Sequence, residues 1–358
     1  MRKALNFLLV LFASLCCSHM VAASDGIASD KEVVEAMLDN IHENGFNKCV
    51  GGLYINWNSQ GVNYNGTASP DRDPCERHDP LTDLRYLTNL WRYKFLYKSN
   101  RYDSDIAEFT PVILSEFDNP KHINPRGWVY NELVTLAKLS SDSRYADAAS
   151  AMLDAYYKDL AHKSRVDWTL EQASALIQSG NRQYASVGRA RIAEIFSGSF
   201  DKSRNLFIWD NSTDKDAATI KTSQQLDLAI ALARAGLTDE AREVFSGLSI
   251  FWDAANGGYY EGGDVVDGKL ELKTKKTGGR MSNALILAHL LQDEASVSSF
   301  RQVILKDVYL PSFKGVVYEQ RPDWSLYKIH GVTEDWVTSE AMGITVEALL
   351  EVNLAGNR

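Results

Sequence analysis

Cysteine, basic charge, long apolar runs and linker-like tracts are all scarce in this 358-residue chain. Of the four cysteines, Cys16 and Cys17 fall within the first twenty residues, and only Cys49 and Cys75 lie beyond them. There is no CxxC pair and no cysteine–histidine cluster with zinc spacing, so no metal or other cofactor is expected. The single long apolar run, Ala4 to Cys17, follows Arg2 and Lys3 and precedes the small residues Val21 to Ser24. It is too short and wrongly flanked for a spanning helix and reads as a secretory signal peptide, residues 1–23, cleaved near Ala23. Leu15 stands before Cys16 where a lipoprotein signal needs a small residue. The chain is therefore expected to be secreted, or periplasmic in a bacterium, with no membrane association after cleavage. In such a compartment Cys49 and Cys75 admit one pairing, and a disulfide there would stabilise by roughly 3 kcal/mol. Asn65 (NGT) and Asn211 (NST) become glycosylation acceptors in a eukaryotic source.

Positive charge is also short: 38 Lys and Arg stand against 47 Asp and Glu, and loss of Arg2 and Lys3 moves the net charge from -9 to -11. A nucleic-acid surface needs clustered cations, so that partner class is excluded. No H-E-x-x-H, nucleophile elbow, P-loop or dinucleotide fingerprint occurs, which leaves metalloprotease, esterase and nucleotide chemistry without support. No Pro-, Ser- or charge-rich linker divides residues 24–358, which read as one domain and a monomer.

What the chain does contain is a repeated phrase: an Ala/Leu-rich helix, a polar turn, a second helix and a long aromatic connector. It recurs as Glu132 to Tyr157, Glu171 to Phe196, Asp227 to Trp252 and Ala284 to Leu305, with a bulkier copy from Asp83 to Phe117. Trp336 to Val352 is a first helix without a second, and Lys31 to Asn44 a second without a first. The two complete each other if the chain closes into a ring. First helices, starting near 82, 128, 168, 223, 281 and 336, are apolar nearly all round and suit an inner ring; amphipathic second helices such as TDEAREVFSGL suit an outer one. The fold class is therefore all-α, an (α/α)6 toroid with long loops and small hairpins on one rim. An open superhelix of tetratricopeptide type is the alternative, disfavoured by an irregular period of 40 to 58 residues.

Every long connector precedes a first helix, so all open on one face. Seven of eight tryptophans lie in or beside them, Trp168, Trp252 and Trp324 among them, and with Tyr260 they offer flat faces for sugar rings. Plugging gaps between helix ends is the simpler role for any one of them. Carboxylates gather in the same places. Glycoside hydrolysis commonly needs two, one protonated and one ionised, and Asp167 with Asp335 is the candidate pair, Asp79 and Glu319 the reserves. Helix capping explains such residues equally well. Glu261 is the better candidate in the stretch FWDAANGGYYEGGD, where Asp253 is expected to serve a turn around Gly257 and Gly258. His330 is a candidate acid, base or sugar donor. Arg85, Arg126 and above all Arg280, in TGGRMSNA, are candidates for holding the carboxylate of an acidic sugar.

The twelve-helix rhythm, the phrase FWDAANGGYYEG followed by KKTGGRMSNALILAHLL, and the segment YNELVTLAKLSSDSRYADAA resemble the six-hairpin glycosidase superfamily, in particular its alpha-mannanase-like and epimerase-like branches. The resemblance implies the toroid and a sugar-processing role. It carries over no catalytic residue, because the mannanases' adjacent Asp-Asp pair has no counterpart here, and the epimerases' histidines match nothing recognisable. A glycoside hydrolase acting on an oligo- or polysaccharide is the leading expectation. A polysaccharide lyase or sugar epimerase, using His330 or a tyrosine with Arg280, is the second, and a non-catalytic glycan- or protein-binding toroid the third.

Overall fold

The computed structural model describes residues 28–355, apart from 50, 59–62, 65–78, 118–125, 161–164, 209–217, 330, 331 and 334. The expected leader, Cys75 of the expected disulfide, His330 and both glycosylation candidates lie outside the described residues. Among those described are twelve α-helices: α1 (Asp30–Asn40), α2 (Pro80–Tyr97), α3 (Asp103–Phe117), α4 (Trp128–Ser140), α5 (Ser143–Asp159), α6 (Val166–Gln178), α7 (Arg182–Ser199), α8 (Thr222–Arg234), α9 (Thr238–Gly247), α10 (Gly278–Leu290), α11 (Glu294–Val303) and α12 (Ser339–Ala355). The even-numbered helices pack in order around an axis, α12 returning to α2, and the odd-numbered ones lie outside them. This is the (α/α)6 toroid.

The sequence makes the two rings differently. Inner α12 buries Ala341, Met342, Ile344, Val346, Ala348, Leu349 and Leu350 on most sides, whereas outer α9 buries only Ala241, Val244 and Gly247. Inner helices are tied by small polar groups that replace water for buried carbonyls: Ser174 donates to the Ala231 carbonyl at 2.5 Å, and Asn89 donates to that of Gly343 at 2.8 Å. The hairpin turns reverse through left-handed residues, Ser141, Gly180, Gly236 and Gln292.

Start signals differ around the structure, though not strictly by ring: inner α2 is capped by Asp79, and outer α9 has no side-chain cap. Outer α1, α5, α7 and α11 each begin under a side-chain cap, from Ser29, Asp142, Asn181 and Asp293. Inner α4, α6, α8 and α10 begin at Gly127, Arg165, Lys221 and Thr277, none of which caps its helix with a side-chain hydrogen bond. Their N-terminal turns, which carry the positive end of the helix dipole, border a central cavity.

The connectors carry short hairpins. Strands β2 (Ala218–Lys221), β3 (Gly262–Val266) and β4 (Lys269–Lys273) form an antiparallel sheet whose last reversal is Asp267–Gly268. Ahead of it, Trp252 bridges Tyr259 across Gly257 and Gly258, both at positive φ, and Asp253 accepts from the Ala255 and Asn256 N–H groups as expected. The ring's seam is stitched where β1 (Asn56–Trp57) pairs antiparallel with β5 (Val337–Thr338). Behind it, Asp30 accepts from Arg301 at 2.8 Å and from Asn353 at 2.7 Å.

Candidate active site at the axis of the ring

The N-terminal ends of all six inner helices surround a cavity of about 360 Å³. Helical phase decides which side chains reach it. Along α8 they are Ser223, Gln224, Asp227, Ile230, Ala231 and Arg234, and along α12 Glu340, Ala341, Ile344 and Glu347, spacings of three and four that trace one helix face. On helices otherwise buried all round, this polar stripe is the mark of the axis.

At the floor, three arginines meet three glutamates. Arg92 forms a bidentate pair with Glu132 at 2.9 Å and lies 3.2 Å from Glu351. Arg85 donates to Glu347 at 2.9 Å and also lies over the Trp128 ring, 4.2 Å from its centroid. Arg234 reaches Glu351 at 3.0 Å and Glu347 at 3.5 Å. Burial raises the Glu347 carboxyl, but Arg85, Arg92 and Arg234 together hold it below its ordinary value. Formal charge within the set cancels, which is what permits six ionised groups in an interior.

Above the floor, Arg126 bridges two carboxylates. It lies 2.9 to 3.1 Å from both oxygens of Glu171 and 3.0 Å from Asp227. Glu171 also accepts from the Gly127 N–H at 2.9 Å. This holds the start of α4 so close to α6 that a Cβ on Gly127 would lie 2.2 Å from the Glu171 carbonyl. Burial pushes the Glu171 carboxyl up to about 7, against the pull of Arg126. Asp227 accepts from Asn283 at 3.0 Å on its other oxygen; burial raises it, Arg126 and Arg85 lower it, and Glu340 raises it again. Glu340, in the first turn of α12, is exposed and makes no hydrogen bond or ion pair with the described residues. Tyr318 stands at the rim, 56% exposed.

The residues singled out in the sequence fall into two groups. Asp167, Asp79 and Arg280 line the cavity together with Arg85 and Arg126. Both oxygens of Asp167 are engaged by Arg165, at 2.8 and 2.9 Å, while Asp79 caps α2 through the Leu81 N–H at 3.1 Å. Asp335, half-buried before β5, and Glu319, paired with Lys275 at 2.9 Å, are not among the lining residues, so Asp167 and Asp335 are not brought together there. Glu261 is near it only through Arg280, at 3.9 Å.

The aromatic residues expected to stack on sugar mostly pack on protein instead. Trp252 sits against Tyr259 and Phe300, Trp324 is buried and donates to the Asn256 carbonyl, and Trp168 lies beneath Arg165. Tyr260 presents its ring to Lys276, 5.7 Å away. The aromatic faces that do reach the cavity are Trp128 and Tyr318. Asp227, Asn283 and Tyr318 are lining residues that loop-centred reading passes over, whereas Glu340 stands among the carboxylates that crowd the last loop and helix start. Three- and four-residue spacing puts Asp227 and Asn283 on one face of α8 and of α10; that those faces look onto an axis follows from the closed ring. Among the described residues no group of three His, Cys, Asp or Glu has the arrangement of a metal site.

No protein-family model and no curated protein matches the sequence. Solved structures do match in fold. A sugar epimerase from a ruminal bacterium superposes with a TM-score of 0.65 at 10% identity, covering 91% of this chain and 99% of its own. The cellobiose 2-epimerase of Bacillus thermoamylovorans B4167 gives 0.61 at 10%, covering 91% and 100%. An inactive variant of the alpha-1,6-mannanase of Salegentibacter sp. HEL1_6, in complex with alpha-1,6-mannotriose, gives 0.60 at 12%, covering 91% and 99%. At these identities the likeness is one of architecture: the chain has the (α/α)6 toroid that these structures share.

Proposed function

We propose that the protein is a carbohydrate-active enzyme, a glycoside hydrolase whose carboxyl pair is Asp227 and Glu340. One observation carries the reading: two carboxyl groups in opposite circumstances face the same axial cavity. Both oxygens of Asp227 accept N–H donors, from Arg126 and Asn283, which fixes its position, while burial raises its carboxyl against the pull of Arg126. Glu340 is exposed and makes no hydrogen bond or ion pair with the described residues. Between them the pair supplies the acid and the base that hydrolysis needs. Trp128 and Tyr318 supply ring faces. The epimerase and mannanase structures of the same fold, one of them with a bound mannotriose, support a sugar as the substrate.

The test is single replacement, Asp227→Asn and Glu340→Gln, assayed on a panel of oligo- and polysaccharides. Each variant is expected to lose at least about 100-fold in kcat on the substrate found, the low end of what a positioned acid or base contributes. Unchanged turnover in either sinks the pair. A proton-abstracting reading, lyase or epimerase, draws on one observation, the exposed Tyr318 phenol within electrostatic reach of Arg280. Products absorbing in the ultraviolet, or an epimer without new reducing ends, would replace hydrolysis by that reading.

A further inference from the structure

Among the described residues six cations line the axial cavity, five of them arginines. Four of the arginines are matched: Arg85 with Glu347 at 2.9 Å, Arg126 with Glu171 at 2.9 Å, Arg165 with Asp167 at 2.8 Å and Arg234 with Glu351 at 3.0 Å. Arg280 is not. Its nearest carboxylate, Glu261, stands at 3.9 Å, within ion-pair range but beyond hydrogen-bond length. One Nη donates to the Thr277 hydroxyl, while the Nε–H is buried and has no hydrogen-bond partner among the described residues. The side chain is only 13% exposed. A buried guanidinium with unspent donors is costly unless something supplies the acceptor.

The surroundings describe that acceptor. Arg280 lies in the first turn of α10, whose N-terminal N–H groups have no side-chain cap, so the local field favours an anion. Gly279 keeps the approach open: a Cβ there would meet nothing closer than 3.7 Å. Asp227, Glu261 and Glu319 stand near enough to act on Arg280 electrostatically, which disfavours a doubly charged group such as phosphate. A planar, singly charged carboxylate fits the guanidinium fork. About 360 Å³ is space for one or two sugar rings rather than a long chain held end to end.

We propose that Arg280 binds the carboxylate of an acidic sugar, so that the substrate of this cavity carries a uronate. The assignment rests on the cavity being the sugar site proposed above, and it adds the substrate class. Titration calorimetry with glucuronate and galacturonate, each against its neutral counterpart glucose or galactose, reads it directly. The uronates are expected to bind at least about tenfold more tightly, the factor that one added charge-assisted contact supplies. Arg280→Gln is expected to abolish the difference and leave neutral-sugar affinity in place. Glu261→Gln, at a half-exposed position that does not test folding, is expected to strengthen uronate binding several-fold by removing the nearest competing charge. Equal affinity for acidic and neutral sugars, or a preference that survives Arg280→Gln, overturns the assignment while the sugar cavity stands. If acetate or sulfate competes as strongly as the uronate, Arg280 is a site for small anions and the acidic-sugar assignment is overturned. If neither kind of sugar binds at millimolar concentration, both readings fall.

Discussion

At the scale of single residues, the most consequential group is a nearly buried glutamate in the wall of the axial cavity. Glu171 holds Arg126, Gly127 and through Arg126 the candidate catalytic carboxyl Asp227. Its folded carboxyl is raised from 4.5 to about 7. As pH climbs through that window the unfolded chain releases this proton before the folded one does, so the folded form gains less than the unfolded form and stability declines. Glu171→Gln is expected to flatten the decline between pH 4.5 and 7, checked by denaturant midpoints across that range. A decline of unchanged slope contradicts it. The identity of such residues was only half legible. Asp167 and Asp79 were visible because they stand at helix starts, where acidic residues are noticed. Asp227 lies inside an apolar helix, and only the direction imposed by its turn of α8 separates it from a solvated aspartate. Side-chain aim toward an axis is a property of the closed ring, and no local pattern states it.

At the scale of elements, the connector around Gly257 and Gly258 shows what local chemistry can and cannot announce. Its reversal and the turn-making role of Asp253 followed from Asp, Asn and Gly in sequence. What did not follow is Lys276, wholly buried, which donates to Asp253 at 2.8 Å and to the Gly257 and Pro322 carbonyls at 2.5 Å. One ammonium thus binds three groups and ties two connectors together just before α10. The aromatic and acidic density of this stretch is therefore mainly architectural: it seats the helix that carries Arg280. Asp253→Ala would strand a buried cation and is expected to cost about 3 kcal/mol or more. Chemical denaturation measures that loss, and kcat at a temperature where the variant stays folded is expected to stay near that of the parent. A large fall in kcat without loss of stability would give Asp253 a chemical role instead. Helix starts were the most legible feature, 82, 128, 168, 223, 281 and 336 against an observed 80, 128, 166, 222, 278 and 339, because apolar periodicity is itself a record of burial.

At the scale of the whole molecule, the ring is closed by contacts between segments some 300 residues apart: β1 with β5, and Asp30 with Asn353. The same late segment supplies Glu347 and Glu351, the counter-charges of Arg85, Arg92 and Arg234. Removing residues 339–355 is therefore expected to do more than delete one helix of twelve. Three interior cations lose partners at once, and the remainder should show no cooperative thermal transition and should be cut readily by protease. A truncated chain that melts cooperatively would show instead that the charges at the floor are dispensable.

This arrangement also sets an order in time. During synthesis the chain emerges with its arginines first, and the acids that neutralise two of them arrive only when α12 leaves the ribosome. Until then the floor of the cavity is an unbalanced cluster of positive charge that water must keep wet. The twelfth helix therefore completes the charge balance, and the interior can dry only once residues 339–355 have joined the ring.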